Sequence, residues 1–265
     1  MEKPVFIENI KSENGAYLNL EGHAVRMDRT MRRFFRHPFV HSALPKILPP
    51  PPPGDTLMLT VHYSDAIVSA EFSRYERPVI RSLAMVDAGQ VDYIFKSRNR
   101  EQLEAIREFS GADEAIIVRN GFITGVTVAN LVFRDLHGGL FTPLHYVHSG
   151  TKREFYIKTK IVTTYPIKPE QLSSYESVIL VNAMLDIEDE VIFPCSLIRP
   201  VVPMFPDVGK PSQHEPGSPA PDDAPASLAV TATDCREASG TKDASESTSA
   251  QAGPEAPTPS PQEKG

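Results

Sequence analysis

Short, mostly apolar stretches at residues 5–10 and 16–20, with Asn14-Gly15 between them, predict two short strands joined as a hairpin. From residue 21 to 36 the pattern changes. Ala24, Met27, Met31 and Phe34 or Phe35 recur at spacings of three and four, so this stretch reads as a helix with one apolar side. Its other side carries Arg26, Arg29, Arg32, Arg33 and Arg36, and His37-Pro38 ends it because a residue before proline avoids helical angles. Strand-like runs follow at 56–63, 66–75 and 79–86, then 91–95, then a helix over 99–109 that places Leu103, Ile106 and Phe109 on one side. Asn120-Gly121 predicts a hairpin between 115–119 and one long strand over 122–133. A short strand at 140–142, a helix opening at Gly150-Thr151 and running to about residue 158, and strands at 161–165 and 178–184 complete the pattern. Strands and helices mixed with several hairpins imply an α+β arrangement, and no internal repeat is visible.

Composition changes this picture mainly at the C-terminal end. Residues 204–265 are rich in Pro, Ser, Ala, Glu and Asp with one aromatic residue, and cannot bury enough apolar surface to offset the entropy of ordering; they read as a disordered acidic tail whose deletion leaves the fold intact. Ten acidic and four basic residues fall in that tail, leaving 24 acidic and 23 basic in the rest, so the folded part is nearly neutral. That balance argues against a general nucleic-acid binder, and aromatic side chains are not interleaved with the helix arginines as a base-stacking surface needs. The five prolines at 49–53 form a stiff extended loop inside the first domain, in preference to a ligand for a proline-recognising partner. Two cysteines, Cys195 and Cys235, give neither a disulfide framework nor a metal spacing. His23, His37, His41, His62, His137, His145 and His148 show no ligand spacing and read as surface, loop or cleft residues. With no signal-peptide core and no apolar run of membrane-spanning length, the expectation is a soluble cytoplasmic protein.

A few residues could carry chemistry. Lys96 follows Val91-Asp92-Tyr93-Ile94-Phe95; on spacing alone it is a solvent-facing strand-end lysine, but a lysine stem among aromatics and other cations can have a lowered pKa and so a nucleophilic amine. Arg26 belongs either to a solvated basic stripe or to an anion site, since a guanidinium can grip two oxygens of a phosphate. Thr151 and Lys152 begin a helix, where free N–H groups and the helix dipole favour an anion, although Gly150-Thr151 is equally an ordinary helix cap. Asn182 is a strand-end polar group that is either satisfied locally or part of a site.

The order of these segments carries a resemblance: Arg26 within His23-Ala24-Val25-Arg26, then Lys96, then Gly125-Val126-Thr127-Val128-Ala129-Asn130-Leu131-Val132-Phe133, then Thr142-Pro143, then Gly150-Thr151-Lys152-Arg153, then Val181-Asn182-Ala183-Met184. From about residue 5 to 198 the chain resembles the class IV aminotransferases and their relative aminodeoxychorismate lyase, nearest to the short bacterial members. The resemblance implies a two-domain fold-type-IV architecture, D-amino-acid aminotransferase-like, with a small α+β domain at 1–89, a larger α/β domain at 90–203 and pyridoxal 5'-phosphate between them. It implies a homodimer that acts on a small amino-acid-like substrate, with no nucleic acid or membrane partner. Lys96 would form the Schiff base with the cofactor, Arg26, Thr151 and Lys152 would hold its phosphate, and Asn182 and Ala183 would add a second contact.

The chain departs from that family at three positions. Where members carry a Glu or Asp five residues before the asparagine of Asn130-Leu131-Val132-Phe133, pairing with the pyridine nitrogen, this chain has Gly125. A protonated ring nitrogen makes the cofactor an electron sink, so this change bears on the central step. Asn9 stands where relatives more often place a threonine, and Asn99 where they tend to have an aspartate. The resemblance therefore implies a lyase like aminodeoxychorismate lyase, forming 4-aminobenzoate and pyruvate for folate synthesis. The alternatives are an amino-acid aminotransferase of the branched-chain or D-amino-acid type, and a non-catalytic descendant of the fold.

Overall fold

The computed structural model describes residues 3–89 and 91–204, all within one compact unit, Met1–Lys210. Of the segment 204–265, read above as a disordered tail, Met204 is described, its amide donating to the Asp87 carbonyl at 3.0 Å; residues 205–265 lie outside the described residues.

β1 (Phe6–Glu13) and β2 (Ala16–Tyr17) form the expected hairpin, with Asn14 and Gly15 both at positive φ (49° and 76°). The extended side-chain period puts Phe6, Glu8, Ile10 and Ser12 on the inward face of β1, so a carboxylate is carried inside among apolar neighbours. β1 also pairs antiparallel with β3 (Leu57–Tyr63), and β3 with β4 (Ile67–Arg74). Across this sheet lies α1 (Leu20–Phe35), which buries Ala24, Met27 and Met31 against Phe6, Ile10, Leu59 and Val61. His23 is also fully buried there rather than on the surface, because it follows the helix period of that same face. A one-turn helix, α2 (Leu44–Ile47), closes the end of this core with Leu44, and the proline run continues from it as irregular chain.

Two further sheets share a second core. One has the order β13–β5–β6–β7, built from β5 (Leu83–Asp87), β6 (Glu114–Arg119), β7 (Phe122–Val126) and β13 (Arg199–Pro203). The other is β10–β9–β8–β11–β12, from β8 (Asn130–Asp135), β9 (Leu140–Pro143), β10 (Thr163–Tyr165), β11 (Tyr175–Val181) and β12 (Ile192–Pro194). Their facing side chains include Met85, Ile116, Val118, Ile123, Leu131, Phe133, Val178 and Leu180. β5 and β6 are parallel, joined by a crossover that contains α3 (Glu101–Ser110), with Leu103 and Ile106 turned inward. A last helix, α4 (Thr151–Lys158), joins β9 to β10 and packs Tyr156 among Val132, Ile179 and Val181.

Two expectations change. The apolar run 122–133 is not one strand: β7 ends at Val126, residues 127–129 cross over, and β8 begins at Asn130 in the other sheet. Both strands are apolar on both faces, so no break in hydrophobicity marks the crossing. Residues 91–95 are not a strand either. Their apolar side chains serve two cores, Val91 and Tyr93 beside α3, and Phe95 with Phe34 against the first sheet.

Candidate active site

Lys96 sits where this irregular segment meets β1. Its carbonyl accepts from the Ile7 amide (2.9 Å) and the Arg98 amide donates to Val5 (2.9 Å), so the lysine is fixed one position away from Glu8 along the neighbouring chain. Around it the 93–100 segment, the 125–130 crossover, the turn into α4 and the turn after β11 enclose about 580 Å³ of atom-free space, part of it open to solvent. Lys96, Arg26, Thr151, Asn182 and Ala183 all line this cavity, together with Tyr93, Arg100, Gly125, Thr127, Asn130, His148 and Gly150. Residues more than 150 positions apart in sequence are thus brought to one wall.

Behind Arg26 lies Glu8, with no solvent exposure. Arg26 Nε donates to Glu8 Oε1 (2.8 Å), Nη2 donates to Oε2, and His23 Nδ1–H reaches Oε2 at 2.6 Å. Burial would raise the Glu8 pKa, but the Arg26 charge and these hydrogen bonds outweigh it and hold the carboxyl well below its usual range. His23 is pushed the other way: burial lowers its pKa, opposed by Glu8, and the neutral ring lies 3.4 Å from the Thr151 hydroxyl through Nε2. Arg26 Nη1 donates to His148 Nε2 (2.8 Å) and to the Ser149 carbonyl (3.2 Å). Because a guanidinium only donates, His148 must accept at Nε2 and carry its proton on Nδ1. Burial, then the charges of Arg26 and Lys96, keep that imidazole neutral, opposed by the Glu8 charge and a backbone hydrogen bond with Ile94.

The same surroundings act on Lys96. Burial and next the positive charge of Arg26 push its pKa down to about 7, with Arg100 adding to the effect and Glu8 opposing it. Near neutral pH the free amine and the ammonium are therefore both well populated, as a nucleophilic lysine requires.

The entry to α4 is shaped by one contact. A Cβ at Gly150 would stand 1.9 Å from Asn130 Oδ1, while the backbone there (φ −71°, ψ 137°) is open to any residue, so glycine is required by the Asn130 side chain and not by torsion. Asn130 Nδ2 in turn donates to the His148 carbonyl (2.9 Å), tying the start of β8 to the turn. Gly150 is the N-cap with no side-chain cap, which leaves the first-turn amides of Thr151 and Lys152 without partners inside the helix.

The site residues expected from sequence do not all behave alike. The Arg26 fork faces Glu8, so toward the cavity Arg26 offers its charge and a remaining N–H rather than both arms. Lys152 does not line the cavity: its ammonium pairs with Asp186, which also holds Lys11 at 3.0 Å, so only its backbone belongs to the helix entry. Asn182 lines the wall but is engaged in its own turn, with Oδ1 accepting from the Met184 and Leu185 amides (2.8 and 3.0 Å) and Nδ2 donating to the Val128 carbonyl at 3.3 Å. Glu8, His23, His148, Tyr93 and Arg100 were not singled out from sequence. For Glu8 a signal existed, since it alternates with Phe6 and Ile10; His148 and Arg100 lie in irregular segments that have none.

Among the described residues no group of His, Cys, Asp or Glu side chains is placed to hold a metal ion, and no helix is long and apolar enough to cross a membrane.

No protein-family model matches the chain. It is 26% identical over 185 residues to an uncharacterised protein of Haemophilus influenzae, covering 68% of this chain and 97% of that one. Its fold matches the crystal structure of a candidate 4-amino-4-deoxychorismate lyase from Haemophilus somnus 129pt, at 24% identity and a TM-score of 0.61, over 69% of this chain and 98% of that one. A hypothetical aminotransferase from Mycobacterium tuberculosis, in its PLP-bound form, matches at 16% identity and a TM-score of 0.52, over 68% of this chain and 78% of that one. The chain has the mixed α/β fold of the fold-type-IV aminotransferases.

Proposed function

We propose that the chain is a pyridoxal-5'-phosphate enzyme of the aminodeoxychorismate lyase type, converting 4-amino-4-deoxychorismate to 4-aminobenzoate and pyruvate, and acting as a homodimer in folate synthesis. The observation that carries this reading is the Lys96 amine, with a pKa of about 7, in one cavity with Arg26 and the free amides at the start of α4. A phosphorylated aldehyde needs both a neutral amine and a separate anion-binding end, and the residues present fit that demand. The solved structures of similar fold, a candidate lyase and an aminotransferase in a PLP-bound form, support it.

In this reading the charge of Arg26 and the amides of Thr151 and Lys152 hold the phosphate. Ala183 and Asn182 supply wall, and Lys96 supplies the amine and moves the substrate proton. When bound, the cofactor supplies an electron sink for the substrate carbon. Glu8 and His23 keep Arg26 and Thr151 in place from behind. Among the described residues no acidic side chain lines the cavity, and Gly125 stands where the resemblance calls for a carboxylate. This favours, as a second reading, a descendant that binds the cofactor with little turnover. An aminotransferase using the same cavity is the nearest catalytic rival.

Purified protein supplied with pyridoxal phosphate should show a visible absorption band that is missing in Lys96→Ala, and should release pyruvate from aminodeoxychorismate. Amino transfer to 2-oxoglutarate from a panel of amino acids, without pyruvate release, would replace the lyase by the transferase. A Cβ at residue 125 would lie 3.3 Å from the Ala129 carbonyl, which accepts from the Val126 amide (3.0 Å), so Gly125→Glu requires that backbone to shift and is checked for native circular dichroism before its turnover is read. A cofactor band with no turnover in either the native protein or Gly125→Glu would leave only the binding reading.

A further inference from the structure

Among the described residues three cationic side chains, Arg26, Lys96 and Arg100, line the cavity, and they are not equally answered. Arg26 has the buried Glu8 at its back. Lys96 sheds much of its charge near neutral pH. Arg100 stands on the wall formed with the 125–130 crossover: Nη2 donates to the Thr127 carbonyl at 3.1 Å, and the guanidinium lies 5.8 Å from the centre of the Tyr93 ring. Tyr93 is itself fixed by its hydroxyl, which donates to the Ser97 carbonyl at 2.7 Å. Arg100 pairs with no carboxylate among the described residues; the nearest acid along the chain, Glu101, is engaged by the Asn99 side chain. A half-buried arginine held by a carbonyl and an aromatic face keeps its full charge, and its planar fork suits an incoming carboxylate.

Arg100 and Arg26 are carried by different elements. Arg26 stands on α1 and Thr151 at the entry to α4, whereas Arg100 stands on the 93–100 segment against the 125–130 crossover. The cavity therefore takes its cations from two of its walls, with the Lys96 amine in the same lining, which suits a ligand that carries two anionic groups.

We propose that Arg100 binds a carboxylate of the amine substrate and so restricts the site to amines that carry one over simple amines. This rests on the cofactor reading above, since the phosphate must occupy the Arg26 end. No bond is made or broken by Arg100; it is a binding residue that decides which amines are held.

The test uses full-length apo-protein and unreactive probes in calorimetric titrations: pyridoxine 5'-phosphate, N-(5'-phosphopyridoxyl)-ethylamine and N-(5'-phosphopyridoxyl)-L-alanine. The native protein should bind the alanine adduct about tenfold or more tightly than the ethylamine adduct, the size expected of one charge-assisted contact. In Arg100→Gln that preference should fall to about twofold or less, with affinity for the ethylamine adduct and pyridoxine phosphate unchanged. Arg100→Lys, checked for native circular dichroism, should retain an intermediate preference. A preference that survives Arg100→Gln, or that is absent from the native protein, overturns the proposal while leaving the cofactor reading intact. Equal weakening of all three probes in both variants also overturns it, because Arg100 then serves the cofactor or the fold. Failure of every probe to bind the native protein overturns both.

Discussion

At the scale of single residues, the site depends on a carboxylate that never touches the cavity. Glu8 accepts from Arg26 twice and from His23 once, and is enclosed completely. Replacing it with alanine leaves a guanidinium deep in the structure with no counter-charge, and breaking a buried pair in this way costs about 3–5 kcal/mol. Glu8→Ala is therefore expected to lower the unfolding free energy by that much and to weaken pyridoxine phosphate binding, read by urea titration and calorimetry; a change within about 1 kcal/mol would mean the pair is solvated. Sequence reasoning reached the residues whose identity is their chemistry, Lys96, Arg26 and Thr151, and the structure gathers them at one cavity. It missed the partners, since a buried glutamate or histidine is written with the same letter as a surface one. Asn182 and Lys152 show the converse: the turn and Asp186 claim their side chains, so only their backbone is left to face a ligand.

At the scale of elements, period and turn chemistry made α1, α3, α4 and the Asn120-Gly121 hairpin legible within a residue or two, while β1 runs three residues beyond the strand expected at 5–10. The failures share one cause, that hydrophobicity reports burial and not which core does the burying. The 122–133 run passes between sheets without a polar residue at the crossing except Thr124, Thr127 and Asn130, and the 91–95 run divides between two cores. Both irregular segments then supply the cavity wall. The junction of β8 with α4 gives a direct test. Gly150→Ala drives a methyl into Asn130 Oδ1, and overpacking of this kind costs about 1–3 kcal/mol. Adding Asn130→Ala removes the clash, so the double variant should be less destabilised than the sum of the two single ones in thermal melts. Strict additivity would show that the two side chains do not meet.

At the scale of the molecule, charge is balanced over the folded part but not in the cavity, and stability should carry that signature. His23 and His148 have folded pKa values below their ordinary one, so the unfolded chain takes up protons there first and stability falls as pH drops below about 6.5. Glu8, depressed likewise, contributes stability that is full above about 4.3 and is lost as pH falls further. Lys96 costs stability in full below its folded value of about 7, and the cost diminishes as pH rises from there to the ordinary lysine value of about 10.4. The same depressed value gives the most direct measurement: trap the protein with pyridoxal phosphate and borohydride across pH 5.5 to 9 (about three units around the lysine value) and map the modified peptide. Modification confined to Lys96, rising through a midpoint near pH 7 and sharply reduced in Arg26→Ala, is the predicted result. Labelling spread over surface lysines such as Lys3 and Lys158, with no midpoint near pH 7 and indifferent to Arg26, would contradict it.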